Sequence, residues 1–169
     1  MHFKNALFLF TFSLITTLNS CGIYSFSGSS IPKNAKTVYI EPINNNSTLS
    51  SPELTQLVTT KMNNYVLTQT KLKLSEINPD LSFSGKITKY TISPISINSE
   101  DNASQNRLLI ELEISFENAL NTSQNFVKKF SNYIDFNSSE NFIDLETELN
   151  ILIIDKLVED VFRASFLNW

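Results

Sequence analysis

Histidine and cysteine each occur once in this 169-residue chain, glycine three times and arginine twice. The histidine is His2 and the cysteine is Cys21, both near the start. No second thiol exists to close an intramolecular disulfide. Beyond Cys21 no histidine remains, which excludes Ser-His-Asp and Cys-His constellations and histidine-based metal sites there. Gly85 is the only glycine in the region that reads as folded, so no glycine-rich phosphate loop is available. Charge excludes another class. Lys and Arg number 13 against 17 Asp and Glu, a formal charge of −4, so nothing draws the chain generally to nucleic acid.

The first twenty residues do not read as part of a fold. Lys4 gives a short basic start, and Ala6 to Leu18 follows almost without charge. That run has the length of a signal-peptide apolar region and falls short of the roughly 20 residues that span a bilayer. It ends in Leu18-Asn19-Ser20-Cys21, which resembles the lipobox of bacterial lipoproteins, where the cysteine becomes the acylated first residue. Its position directly after the apolar run favours lipidation of Cys21 over a buried or reactive thiol. Several acyl chains on one residue anchor far more firmly than one, since each buried CH₂ contributes about 0.8 kcal/mol. The expected organisation is a signal peptide over 1–20, a lipidated tether over 21–34 and a single domain over 35–169. Loss of Lys4 with the leader makes the mature chain one unit more acidic.

Within the domain, Thr37 to Glu41 is β-branched and aromatic and predicts a strand closed by Pro42, followed by a polar loop from Asn44 to Ser51. Ser51 before Pro52, or Ser50 with Glu53, marks a helix start. Leu54, Leu57, Val58, Met62, Tyr65 and Val66 continue it at helical spacing to about Gln69. Residues 71–74 read as a short extended piece. From Leu81 apolar residues alternate through Phe83, Ile87, Tyr90, Ile92, Ile95 and Ile97, with Gly85 or Pro94 as candidate bulges or bends. A second alternating run, Leu108 to Phe116, sets Glu111 and Glu113 on the opposite face, and a further strand spans roughly Asn125 to Phe136. Ser138 or Ser139 is expected to cap a final helix with a stripe of Phe142, Leu145, Leu149, Leu152, Ile153, Leu157, Val161 and Ala164. The acidic residues of its first half suit the positive end of the helix dipole. The expected fold class is α+β: a two-layer sandwich of a four-stranded, mainly antiparallel sheet with two helices on one face, in the order β-α-β-β-β-α.

Little chemistry remains. Glu111 and Glu113 are the candidate carboxylate pair, and a solvated strand face is the favoured reading for them, as for Asp135 and Asp160. No Ser-Lys pattern stands out, and no metal or cofactor is implied. The expectation is a protein that is not an enzyme. Lys86, Lys89, Arg107, Lys128 and Lys129 recur on or beside the strands and are candidate contacts for an anionic lipid head group such as a phosphorylated glycolipid. Unprotected sheet edges invite strand addition.

Several stretches carry a resemblance to a known family. They are Cys21-Gly22-Ile23-Tyr24-Ser25-Phe26-Ser27-Gly28 with Ile31-Pro32, Ala35-Lys36-Thr37-Val38, Thr70-Lys71-Leu72-Lys73-Leu74 and Asp80-Leu81-Ser82-Phe83-Ser84-Gly85-Lys86-Ile87-Thr88. Asn106-Arg107-Leu108 and the ending Leu157-Val158-Glu159-Asp160 through Asn168-Trp169 complete the set. Together and in order they resemble the lipopolysaccharide-assembly lipoprotein (LptE) family in its Bacteroidetes form. The resemblance implies a structural plug seated partly inside the outer-membrane β-barrel that delivers lipopolysaccharide to the outer leaflet. It implies assistance in assembling that barrel, contact with lipopolysaccharide, and two helices against a four-stranded sheet. No ligand residue carries over from the family, and residues 44–51 hold no basic residue. An acidic run after Cys21, which resembles a surface-export signal in Bacteroidetes, is missing, which favours the periplasmic side of the outer membrane. The alternative is a freely tethered periplasmic lipoprotein that binds a small ligand or peptide on its sheet face. A weaker third reading is a hydrolase using carboxylates.

Overall fold

A computed structural model describes residues 31–32, 34–47, 52–95 and 104–167. The leader, Cys21, the cap residues Ser50 and Ser51, Ile97 and the Asn168-Trp169 ending lie outside the described residues. Ile31, in the stretch read as tether, packs against the core.

Strand β1, Thr37–Ile40, turns Val38 and Ile40 inward. Pro42 has no N–H to give the ladder, and the next donor, Ile43 N–H, turns instead to Thr59 Oγ1 at 3.0 Å. Pairing resumes in β2, Asn44–Asn45, so β1 and β2 lie in succession along the same edge of β4. Helix α1, Pro52–Gln69, buries Leu54, Val58, Met62 and Val66, one residue per turn, and leads into β3, Lys73–Leu74. The long strands β4 (Leu81–Ile95), β5 (Gln105–Asn118) and β6 (Phe126–Asn137) then form an antiparallel ribbon. Helix α2, Phe142–Phe166, ends the described chain.

The sheet is open, in the order β3-β1-β4-β5-β6, with β2 also on β4. Among the described residues it therefore has six strands rather than the expected four, and the chain order is β-β-α-β-β-β-β-α. The additions are two residues each and pair in parallel with distant partners, β3 with β1 and β2 with β4. Nothing in Asn44–Asn45, poor strand formers, signals this, and the polar loop expected from Asn44 is thus partly strand.

Asp80 ties β1 to β4. Its carboxylate accepts from Lys36 N–H (2.8 Å), Thr37 N–H (2.9 Å) and the Thr37 hydroxyl (3.0 Å), while its own N–H donates to Thr37 Oγ1 at 2.9 Å. Those backbone donors hold its pKa below the usual carboxylate range.

The core lies on one side of the sheet. Leu81, Phe83 and Ile87 from β4 and Leu108, Ile110, Leu112, Ile114 and Phe116 from β5 join the buried faces of both helices in one cluster. Phe83, Phe116, Phe162 and Phe166 interlock there with ring centroids 4.9 to 6.1 Å apart. Tyr65 on α1 meets Phe162 on α2 edge-on at 5.2 Å.

Three local expectations need correction. The irregularity in β4 falls between Ile87 and Lys89, not at Gly85 or Pro94. The bulge explains why Ile87 and Tyr90, three apart, both point inward. The cap of α2 is Asn141, which accepts from Ile143 N–H at 3.3 Å, because Asn137 already gathers Ser139 into the preceding turn. Leu152 is exposed, and the buried stripe instead runs in adjacent pairs from Leu149 and Asn150 to Ser165 and Phe166.

Gly85 is required by close approach. A Cβ there would lie 2.6 Å from Glu113 O and 2.7 Å from Ile114 Cδ1. Gly85→Ala is expected to push β4 from β5 and to destabilise the fold by about 1–3 kcal/mol, read by denaturant unfolding. An unchanged midpoint would contradict this packing.

Candidate functional site

Because strand side chains alternate, the residues opposite the core form a continuous outer face on β4, β5 and β6. Register decides what meets there. Lys86 stands opposite Glu113 and forms an ion pair at 2.8 Å. Lys129 reaches diagonally to Glu111 at 3.0 Å, and the Thr88 hydroxyl, at the bulge, donates to the same carboxylate at 2.7 Å. Arg107 faces Asp135 and binds it in bidentate fashion, Nε to Oδ1 at 2.7 Å and Nη2 to Oδ2 at 2.8 Å. Its guanidinium also lies 3.6 Å from the centre of the Tyr133 ring.

The five basic candidates therefore separate. Lys86, Arg107 and Lys129 are held in ion pairs on the outer face. Lys89 lies opposite Glu111 on that face and makes no ion pair among the described residues. Lys128 belongs to the other face of β6, with its ammonium 4.8 Å from the Phe126 ring. The face is a neutralised ladder more than a basic patch.

The ladder also bears on catalysis. Hydrogen bonds from Thr88 and then Lys129 hold Glu111 below its ordinary pKa, and Arg107 does the same for Asp135. A general acid near neutral pH needs the opposite shift. Among the described residues no three His, Cys, Asp or Glu side chains converge to hold a metal ion.

Two grooves flank this framework. A shallow one of about 580 Å³ crosses the outer face, lined by Asn44, Asn45, Asn46, Ser84, Ser115 and Val127 between Lys86, Glu113 and Glu41. It exists because Ser84, Ser115 and Val127 form one short-chained row across three strands. Register created that row, and no signal within a single strand reveals it. The second groove, about 440 Å³, lies between the helices, lined by Leu54, Leu57, Ile151, Glu53, Glu146 and Asn150. The buried Tyr90 hydroxyl donates to Glu146 Oε1 at 2.8 Å, with Asn150 Oδ1 3.2 Å away. Burial, and then Glu146, push the phenol well above its usual pKa.

With this geometry in view, the sequence comparison is decisive. Residues 35–165 match the lipopolysaccharide-assembly family, LptE. The chain belongs to that family. Membership supports a general role in lipopolysaccharide assembly, as a membrane-associated lipoprotein. No helix among the described residues is long and apolar enough to cross a membrane. Among solved structures the fold is similar to a minor lipoprotein from Acinetobacter baumannii, with a TM-score of 0.50 and 16% identity over 76% of this chain and 91% of that one. It is also similar to a neuraminyllactose-binding hemagglutinin homolog from Helicobacter pylori, with a TM-score of 0.51 and 13% identity over 83% and 88%. At such identities the likeness is one of fold alone. No curated protein matches the chain.

The depressed carboxylates make a prediction with a definite sign. Asp80, Glu111 and Asp135 bind protons less readily in the folded state than in the unfolded one. Their stabilisation is present above the unfolded range of about pH 4 and is lost as pH falls through the lower folded values. Asp135→Asn should be less stable than the parent at neutral pH, and the gap should close in strong acid. Urea unfolding at both pH values checks this, and a gap that persists undiminished in acid contradicts it.

Proposed function

We propose that the protein is an outer-membrane lipoprotein, acylated at Cys21 and facing the periplasm, that plugs the lipopolysaccharide-transport β-barrel and assists its assembly. The family match carries the reading. The lipobox-like Leu18-Asn19-Ser20-Cys21 supplies the anchor. A domain whose outer-face charges are largely paired within itself also suits a plug, because it can sit against a polar barrel wall without stranding unpaired charges. Of the five candidate lipid contacts, Lys89 and Lys128 are the two without an ion-pair partner among the described residues, and they are the first choice for an anionic head group. A second reading, a freely tethered binding lipoprotein, draws on the two grooves.

Gentle detergent extraction of the tagged protein, followed by mass spectrometry, tests the first reading against the second. A large outer-membrane barrel recovered in stoichiometric amount supports the plug, whereas recovery of the protein alone overturns it. Cys21→Ala should abolish incorporation of labelled palmitate, and retained label would remove the anchor from the account.

A further inference from the structure

Among the described residues, strand β6 ends the sheet, and its twelve residues pair only with β5. Two hydrogen bonds show which of its backbone groups face outward. Ser138 N–H, at an even-numbered position just past the strand, donates to Ser104 O at 3.0 Å on the β5 side. Tyr133 N–H instead donates to the side chain beside it, Asn132 Oδ1, at 2.9 Å. Backbone groups alternate in direction along an antiparallel strand, so the odd-numbered residues of β6 present their N–H and C=O groups to the free edge.

We propose that this edge pairs with the same strand of a second copy of the chain, antiparallel about a two-fold axis at Asn132. In that register Ser131 stands opposite the second copy's Tyr133 as a hydrogen-bonded pair, and Tyr133 N–H exchanges the Asn132 side chain for a strand carbonyl. Lys129 then faces the second copy's Asp135, and symmetry repeats the pair. Lys129 is already bound to Glu111, and Asp135 to Arg107. The junction thus joins two half-ladders into a chain of strictly alternating charge: Glu111, Lys129, then the second copy's Asp135 and Arg107. On the inward side Phe130 meets the second copy's Ile134, covering two side chains that are only partly buried in one chain.

Neighbouring registers lack this fit. An axis at Ser131 sets Val127 against Asp135 and Phe130 against Asn132. An axis at Tyr133 sets Ser131 against Asp135 and leaves Lys129 opposite Asn137. An axis at Lys129 would bring two lysines together. A two-fold isologous contact also closes on itself and does not propagate into fibres.

The pairing places Asn132 opposite its own copy at a non-hydrogen-bonded position, where Cα atoms approach to about 4.5 Å and a disulfide fits. The test uses the full chain in detergent, without any barrel protein, carrying Cys21→Ala so that one introduced thiol is present. Asn132→Cys should form a disulfide-linked dimer on mild oxidation. Val127→Cys, exposed but roughly 34 Å from its own copy in this register, should remain monomeric. Absence of dimer in the first variant, or equal crosslinking of both, overturns the proposal. Sedimentation of the unaltered protein in the same detergent gives a check that does not depend on the variants. A dimer mass supports the pairing, and a monomer mass at every concentration overturns it. Because no barrel is in the assay, these outcomes are separate from the fate of the plug reading.

Discussion

Complete burial of one face of β5 constrains everything around it. Leu108, Ile110, Leu112, Ile114 and Phe116 are sealed beneath the helices with essentially no exposure, and Asn118 closes the row. A one-residue slip would bring Arg107, Glu111 and Glu113 into that core, which no pairing available there would compensate. The register of β5 is therefore fixed by its apolar half. Its polar half is carried with it, and so are the partners that β4 and β6 must present. Lys86 opposite Glu113 and Arg107 opposite Asp135 are consequences of how the core packs. Stability and surface chemistry in this domain arise from the same alternation.

How far this could be read in advance follows from the same argument. Signals local to one segment were legible: the alternation of β5, the four inward positions of α1, the Pro52 helix start and the acidic first half of α2. So was the two-layer arrangement, because two amphipathic helices and a half-wet sheet have few other ways to bury their faces. Features set by a distant partner were not. The two-residue strand β2 exists because β4 offers an open edge beside it, and while the extended piece at 71–74 was legible, the pairing of its Lys73–Leu74 with β1 was not. The bulge at Thr88 left a trace, a change of parity between Ile87 and Tyr90, but the glycine and proline nearby were the stronger local signals. The helix cap fell to Asn141 among four neighbouring residues that can all cap, and only the turn around Asn137 distinguishes them. Basic residues could be found along the strands, whereas their neutralisation depends on cross-strand register.

For function, these surfaces offer several places where a partner could be recognised. Glu111 and Asp135 are held toward their ionised form by hydrogen bonds and by the cations of Lys129 and Arg107. What the domain offers a partner is an outer face already balanced in charge, a small-residue trench across it and, among the described residues, an unpaired edge at β6. Membership of the lipopolysaccharide-assembly family gives those features a setting. In the proposed role the acyl anchor brings the domain to the membrane and the sheet supplies the contact.

The measurement that bears most directly on this account is depletion of the protein in living cells, followed by quantification of lipopolysaccharide exposed on the cell surface. The account predicts that surface lipopolysaccharide falls while newly made lipopolysaccharide accumulates inside, and that the parent sequence restores export. Surface lipopolysaccharide that stays constant through depletion would contradict a role in its assembly.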